Sequence, residues 1–401
     1  MSLITGQGTT FNLPNYRGEL FQISPSDTPF LSAIGGLDTQ QTSSDAPEFE
    51  WQAIDHASPS QPGVLEGANA PTATNRARVN ISNLVQIFHY SFDMSYTKLA
   101  AQGNFAGINT GQPSPIMDDM AFQQEIKLEE AGMDIDYSLL RGYYAKPATN
   151  SDPRRTRGLL RVPTTNVSAM SGSLIAATAA ASTDKVTKAS HGLADTTQIV
   201  LRGTGGPAAA GLDDDIVYFV RDSATNDFKV ALTSGGAAVD ITADIASGLT
   251  YAVVTAITKV AVLDMLQGVF NTSGVKLNME PTLMCGATIK RSLTKAFITD
   301  AGYNEISRNV GGVSVTRIET DFGAMNIMMN RRMPASTLAF THLGMCQPIF
   351  MLIPGKGFLF TEPLAKTGAS ERAQLYGECG LKYGPESAHA LLLGVSGMSG
   401  A

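Results

Sequence analysis

"VNISNLVQIFHYSFDMSY", Val79 to Tyr96, alternates apolar and polar residues but changes phase midway. Val79, Ile81, Val85 and Ile87 fall on odd positions, whereas Phe88, Tyr90, Phe92, Met94 and Tyr96 fall on even ones. Strand side chains point to opposite faces with period two. A swap of phase therefore requires a bulge, a strong twist or passage between two environments. Read as one strand at about 3.3 Å per residue, the stretch spans roughly 60 Å, while ordinary strands have about five or six residues. Such a strand must leave the body of its domain. Its expected partner is "EFEWQAIDHAS", where Phe49, Trp51 and Ala53 alternate with polar neighbours. Between them lies "PSQPGVLEGANAPTATN", a tip with three prolines and two glycines. Together they read as a protruding hairpin.

The next stretch, "MDDMAFQQEIKLEEAGMDIDYSLLRG" from Met117 to Gly142, reads as one long helix. Met117, Met120, Ala121, Leu128, Ala131, Ile135 and Leu139 form one stripe at helical spacing; Phe122, Ile126, Met133, Tyr137 and Leu140 form a second. Pro115 and Gly142 are its boundary signals. The stretch carries seven acids: Asp118, Asp119, Glu125, Glu129, Glu130, Asp134 and Asp136. A dinuclear carboxylate site needs Glu-x-x-His pairs on facing helices, and this helix has no histidine. The two apolar stripes leave the acids outside, so all seven are expected on a solvated or intersubunit face.

The whole chain has 401 residues, 43% of them hydrophobic and 16% charged, enough for two or three domains with a sizeable core. A net charge of -7 argues against tight non-specific binding of nucleic acid. No apolar run approaches the roughly 20 residues of a membrane helix. The first basic residue is Arg17, unlike the charged start of a signal peptide. Three dispersed cysteines, Cys285, Cys346 and Cys379, suggest buried thiols in a reducing compartment.

Residues 1–46, rich in Gly, Pro, Ser and Thr with anchors such as "TPFLSAIGG", read as an extended arm that leans on something else. Residues 172–256 differ in kind. They hold no Met, Cys or Glu, and nine Asp against five Lys and Arg. The runs "TQIVLR", "DIVYFVRD", "DFKVALT", "AVDIT" and "LTYAVV" mark an all-β module of about six strands. Afterwards the pattern is mixed. "TKVAVLDMLQGVFNTSG" and "GATIKRSLTKAFITDAG" read as helices, and "GVSVTRIET", "AMNIMMN" and "PIFMLI" as strands. Alternation from Ala373 to Tyr383, a turn at Gly384-Pro385 and the run "HALLLGV" suggest a closing hairpin.

Other candidate chemistry is thin. His342 and Cys346 offer no second pair of zinc ligands. Asp213, Asp214 and Asp215 lack the calcium-loop pattern, leaving at most a weak surface calcium site. "IPGKGF" lacks the spacing of a phosphate loop and reads as a turn. There is no Gly-x-Ser-x-Gly elbow, and the five histidines form no catalytic grouping. The residues point to no catalytic, cofactor-binding or metal site, and so away from an enzyme.

The order of arm, overlong hairpin, long helix, mixed α/β domain and closing hairpin resembles the major capsid proteins of tailed bacteriophages, which have the Hong Kong 97 fold. The resemblance rests on "SDTPFLSAIGG", "EFEWQAIDHA" with "LEGANAP", "YSLLRG", "RGLLRVPTTNV" and "LAKTGASERAQLYGECGLKYGPESAHALLLG". It implies an α+β capsid fold with an N-terminal arm (1–50), an extended loop hairpin (51–98) and a peripheral domain with the spine helix (99–171). It also implies an axial domain (257–365) and a return to the peripheral domain (366–401). The module at 172–256 departs from the minimal fold and looks like an inserted immunoglobulin-like β-domain, whose ends must then lie close together.

The implied function is a self-assembling icosahedral shell of hexamers and pentamers, built in the host cytoplasm, that encloses phage DNA without binding it specifically. The implied partners are a scaffolding protein, a portal and a decoration protein, with no membrane. Resemblance begins by about Phe11, so a separate scaffolding protein is expected rather than a preceding scaffold domain. Arm and hairpin are expected to gain their contacts from neighbouring subunits, and the inserted module to project outward. Two other readings stand beside this one: an encapsulin-like compartment with the same fold, and a carboxylate-dependent enzyme that Glu125→Gln would inactivate.

Overall fold

The long alternating stretch divides at Val85. In the computed structural model, which describes residues 25–37, 43–70, 72–100, 119–149, 151–205, 210–273, 281–300, 317–366 and 368–397, it is two strands in two sheets. Arg78–Leu84 pairs antiparallel with Glu48–Ile54 as a separate hairpin. Gln86–Ser95 pairs with the first ten residues of the long strand Ser370–Lys382. The single 60 Å strand is thus corrected to strands of 7 and 10 residues. The phase change is a passage between environments: Phe88, Phe92 and Met94 face the core, while Ile87 is exposed. Tyr96 begins a short helix, Tyr96–Ala100, and is exposed.

Val85 itself is buried, so its backbone needs partners away from either ladder. Its amide donates to Pro47 O at 2.8 Å. Its carbonyl accepts from Arg154 Nε at 2.8 Å. The break therefore costs no unpaired backbone group.

Ser370–Lys382 organises a five-stranded sheet. Gln86–Ser95 lies along one edge of it; Gln347–Met351 and Leu359–Pro363 share the other. A six-stranded sheet runs in the order Arg317–Thr320, Gly323–Met329, Thr282–Cys285, Thr337–Thr341, Ala390–Leu393, Val167–Ala169. On one face it packs Leu283, Leu338, Phe340 and Leu392 with the helices Lys259–Thr272 and Ala287–Asp300. On the other, Met284, Ala339, Leu391 and Leu393 join a core shared with the long helix Asp119–Arg141.

The expected closing hairpin is not formed. Ser370–Lys382 and Ala390–Leu393 belong to different sheets, and the segment at Gly384 carries the chain from one to the other. "ALLL" is buried at every position because this central strand is covered on both faces. A continuous apolar run signals that situation better than a hairpin arm. The boundaries 257 and 365 likewise delimit no sheet. The six-stranded sheet takes Val167–Ala169 and Ala390–Leu393 from outside that range, and Gln347–Met351 and Leu359–Pro363 within it join the five-stranded sheet.

The inserted segment closes into a six-stranded antiparallel barrel, rather than the two packed sheets of an immunoglobulin-like sandwich. Val186, Ile199, Leu201, Tyr218, Phe228 and Tyr251 fill its interior. "AVDIT" is not one of its strands, although Ile241 is buried; Ile175–Ala180 and Lys185–Thr187 complete the ring instead. Ile175–Ala180 is masked by its alanines, which carry little strand signal, and Lys185–Thr187 by its length of only three residues. Entry and exit meet on one strand. Met170 N donates to Leu393 O at 3.0 Å, and Thr255 N donates to Gly394 O at 2.8 Å.

Ile175 and Tyr251 are direct cross-strand partners, so their Cα atoms lie about 5 Å apart. Replacing residues 175–251 by a short Gly/Ser linker should leave a chain that still unfolds cooperatively on heating, followed by circular dichroism. Loss of all cooperative unfolding would show that the barrel is part of the host core.

Candidate assembly surface

The base of the hairpin is built into the body by a few side chains. Phe49 and Trp51 lie on one side of Glu48–Ile54, as their alternation requires, and stack at 6.0 Å. The Trp51 ring meets Tyr383 edge-on at 4.8 Å, and its Nε1 donates to Gly384 O at 3.0 Å. Asn83 is fully buried and satisfied. Its Nδ2 donates to Leu381 O at 2.6 Å and Arg157 O at 3.2 Å, while its Oδ1 accepts from the Leu84 and Arg157 amides, both at 2.9 Å. Gly380 is required at the crossing: a Cβ there would stand 2.7 Å from Leu84 O and 2.8 Å from the Phe49 ring. The far end differs in kind. Ile54 and Val79 are exposed, and in the strandless tip Val64 is 79% and Leu65 84% exposed.

The seven acids of the long helix separate on inspection. Asp118 and the Asp119 side chain lie outside the described residues. Glu125 and Glu129 are exposed, Glu130 pairs with Lys127 at 2.6 Å, and exposed Asp134 accepts from Tyr90 OH at 2.6 Å. Burial, then that bond, pushes the Tyr90 phenol up. Asp136 corrects the expectation that all lie outside: it is completely buried. One oxygen accepts from Leu31 N at 2.7 Å, and the other stands 3.2 Å from Arg332 Nε. Burial pushes its carboxyl up, against the pull of the Leu31 amide and Arg332. Its position was readable, since i+3 and i+4 from Asp136 are the buried Leu139 and Leu140.

The partner of Asp136 also corrects the reading of the arm. Pro29–Ala33 is a short helix whose Phe30 and Leu31, with Ile34 beyond it, are buried in this chain's own core. That part leans on its own long helix, not on a neighbour. Residues 1–24 lie outside the described residues.

Asp213 to Asp215 hold the barrel against the body. Asp215 Oδ2 meets Arg141 Nε at 2.9 Å and Arg161 Nη2 at 2.6 Å. Asp214 Oδ1 accepts from Thr204 N at 2.9 Å and Thr204 Oγ1 at 2.6 Å. The Arg161 guanidinium lies 4.0 Å from the Tyr143 ring centroid. Arg202 reaches from the barrel to Pro163 O at 2.9 Å and Leu160 O at 3.3 Å; burial pulls its pKa down to about 10. The other barrel aspartates mostly lock turns: Asp184 accepts from Ile241 N, Asp195 from Ser223 N and Asp244 from Ala181 N, at 2.8 to 3.0 Å.

His342 and Cys346 flank a single 3₁₀ turn, both buried, with Cys346 Sγ 3.7 Å from His342 O. "IPGKGF" is a turn, closed by Ile353 N to Gly357 O at 2.9 Å, and Lys356 pairs with Glu362 at 2.7 Å. Cys285, Cys346 and Cys379 are free and buried. Among the described residues, no three His, Cys, Asp or Glu side chains come together to hold a metal ion, and no helix is long and apolar enough to cross a membrane.

The two kinds of glycine give opposite expectations. Gly132 sits in open space within the long helix, so Gly132→Ala should stabilise by about 0.5–1 kcal/mol. Gly380→Ala should cost about 1–3 kcal/mol through overpacking at the hairpin base. Urea unfolding of the two variants measures both; equal effects would mean that the hairpin is not seated as described.

What the chain can do follows from this division between a seated base and an unburied end, which suits contacts between copies rather than chemistry in a pocket. A family model described as SU10 major capsid protein matches residues 3–396. A chain of the cyanophage A-1(L) capsid aligns with a TM-score of 0.53 and 10% identity, covering 96% of this chain and 97% of that one. The capsid of Myoviridae phage XM1 gives 0.51 and 12%, again over 96% and 97%. At such identities these likenesses speak for the fold, which is that of the tailed-phage capsid proteins. No curated protein matches the chain in sequence. With the family model running over nearly its whole length, the chain belongs to the SU10 major capsid protein family.

Proposed function

We propose that this major capsid protein assembles into a closed icosahedral shell of hexamers and pentamers that encloses phage DNA without specific binding. The observation that carries this reading is the hairpin, whose base is locked to the body while its end offers Val64 and Leu65 to solvent. An isolated two-stranded ribbon is marginal in water, so its distal part gains stability by lying on another copy. The net charge of -7 suits a wall that does not retain DNA. In this reading the arm (1–50), apart from the segment Pro29–Ala33 seated in its own core, and the distal part of the loop hairpin (51–98) reach neighbours. The five-stranded sheet with the long helix makes up the peripheral domain, and the six-stranded sheet with the helices Lys259–Thr272 and Ala287–Asp300 the axial domain. The barrel at 172–256 faces outward, and the spine of the subunit is the long helix Asp119–Arg141. Assembly takes place in the host cytoplasm with a separate scaffolding protein and a portal, and the outer surface accepts a decoration protein.

Electron microscopy of the purified chain tests this, beside a variant with residues 59–75 replaced by a short glycine-rich turn. The full chain should give closed shells. The variant should keep its circular dichroism but give none. A full chain that stays monomeric under all assembly conditions, or a variant that forms normal shells, would overturn the reading. Shells that hold a protein cargo and no DNA would point to an encapsulin-like compartment.

A further inference from the structure

Two short segments cross directly between the five-stranded and six-stranded sheets, and each carries a buried histidine at its crossing. Thr337–Thr341 leaves the six-stranded sheet through His342 and the turn Leu343–Met345, then enters the five-stranded sheet as Gln347–Met351. Ser370–Lys382 returns through the turn Glu386–Ala388 and His389 to Ala390–Leu393. Thr337–Thr341 and Ala390–Leu393 pair antiparallel, with Phe340 opposite Ala390. Both histidines therefore lie at the same end of one ladder.

Neither ring has its full set of partners within the described residues. His389 is completely buried, and its Nε2 donates to Tyr383 O at 2.8 Å, which leaves Nδ1 unprotonated and without a hydrogen bond. His342 is nearly as buried; it meets the Phe340 ring edge-on at 5.4 Å, and its Nε2 has no partner. The charged and titratable groups around the pair are few. Glu386 acts on His389, but its carboxylate is engaged by the Thr164 and Thr165 amides at 3.0 and 3.2 Å. His342 opposes a charge on His389; Tyr383 presents its carbonyl, and its phenol is influenced by Arg157. The Cys346 thiol meets the His342 carbonyl, and burial pushes it up to about 12.

A neutral imidazole tolerates this dry setting, but an imidazolium has two N–H donors and a charge to satisfy. We propose that His342 and His389 together form an acid-sensitive joint: neutral rings hold the two sheets in one relative setting, and a proton on either ring frees the crossings. Burial agrees with this, pulling His389 down to about 4 and His342 down as well. With folded-state values depressed, the stabilisation is complete above the ordinary histidine value near 6.5 and is lost as pH falls towards the folded value.

The test uses the full chain labelled with ¹³C at histidine Cε1, together with hydrogen exchange corrected for intrinsic rates. The His389 ring should stay neutral down to about pH 5, and the His342 ring should titrate below the ordinary histidine value. Protection at residues 342–346 and 383–389 should fall by about tenfold per pH unit for each histidine below 6.5, while the barrel keeps its protection. A double variant, His342→Gln with His389→Gln, should lose that dependence. Rings that titrate near 6.5 in the folded chain with unchanged protection at the crossings would overturn the proposal, as would a double variant with the pH dependence of the parent. The first of these readings needs no variant to fold.

Discussion

The direction in which the hairpin leaves the body depends on how Val85 is held. The chain must give Arg78–Leu84 to one sheet and Gln86–Ser95 to another, with no turn between them. Pro47 O and Arg154 take up the two backbone groups this frees, and Arg154 is itself ion-paired to the nearly buried Glu378 on the long strand. Tyr376 OH donates to the same carboxylate at 2.5 Å. One arginine thus joins the hairpin, the five-stranded sheet and the segment after the long helix. Its planar fork serves this better than a lysine could. Because the join is satisfied and buried, the hairpin leaves the body in a fixed direction rather than as a loose loop.

The same device recurs wherever two parts of the chain meet. Asp136 ties the short helix at Pro29 and the Arg332 turn to the long helix, and Asp215 ties the barrel to Arg141 and Arg161. Each is a carboxylate shared between a segment's backbone or side chains and an arginine from elsewhere in the sequence. Removing one partner of such a buried pair is costly because the other charge is left behind, more than because the pair itself is strong. The joints are accordingly specific. The helix surface from Met120 to Glu130 is different: it holds no fully buried residue, so half-covered apolar groups and exposed acids remain on one accessible face.

Much of this was legible in the residues. The phase change near Val85 marks an irregularity that a bulge, a twist or a change of environment would explain, and the turn-rich, methionine-free stretch at 172–256 marks a separate β-module. The long helix followed from its spacing. What could not be read were facts that depend on the third dimension. "HALLLGV" looked like a hairpin arm because nothing local says which strand covers its second face. "DDD" lacks a calcium-loop pattern, but its structural role is not legible either, because its partners, Arg141 and Arg161, lie more than fifty residues away. Two apolar stripes taken together leave every acid of the long helix outside, yet Asp136 lies on the side of its i+3 and i+4 neighbours, the buried Leu139 and Leu140. The alanine-rich strand Ile175–Ala180 was missed because its burial comes from barrel closure and not from its own side chains.

The central claim is that the hairpin is anchored in its own subunit and completed by another. Hydrogen exchange of its amides, in the unassembled chain and in the assembled particle, addresses this most directly. Amides of Glu48–Ile54 and Arg78–Leu84 nearest Val85 should be protected in both states, and those of residues 55–77 only after assembly. Protection of 55–77 in the unassembled chain, or none in the particle, would contradict the account.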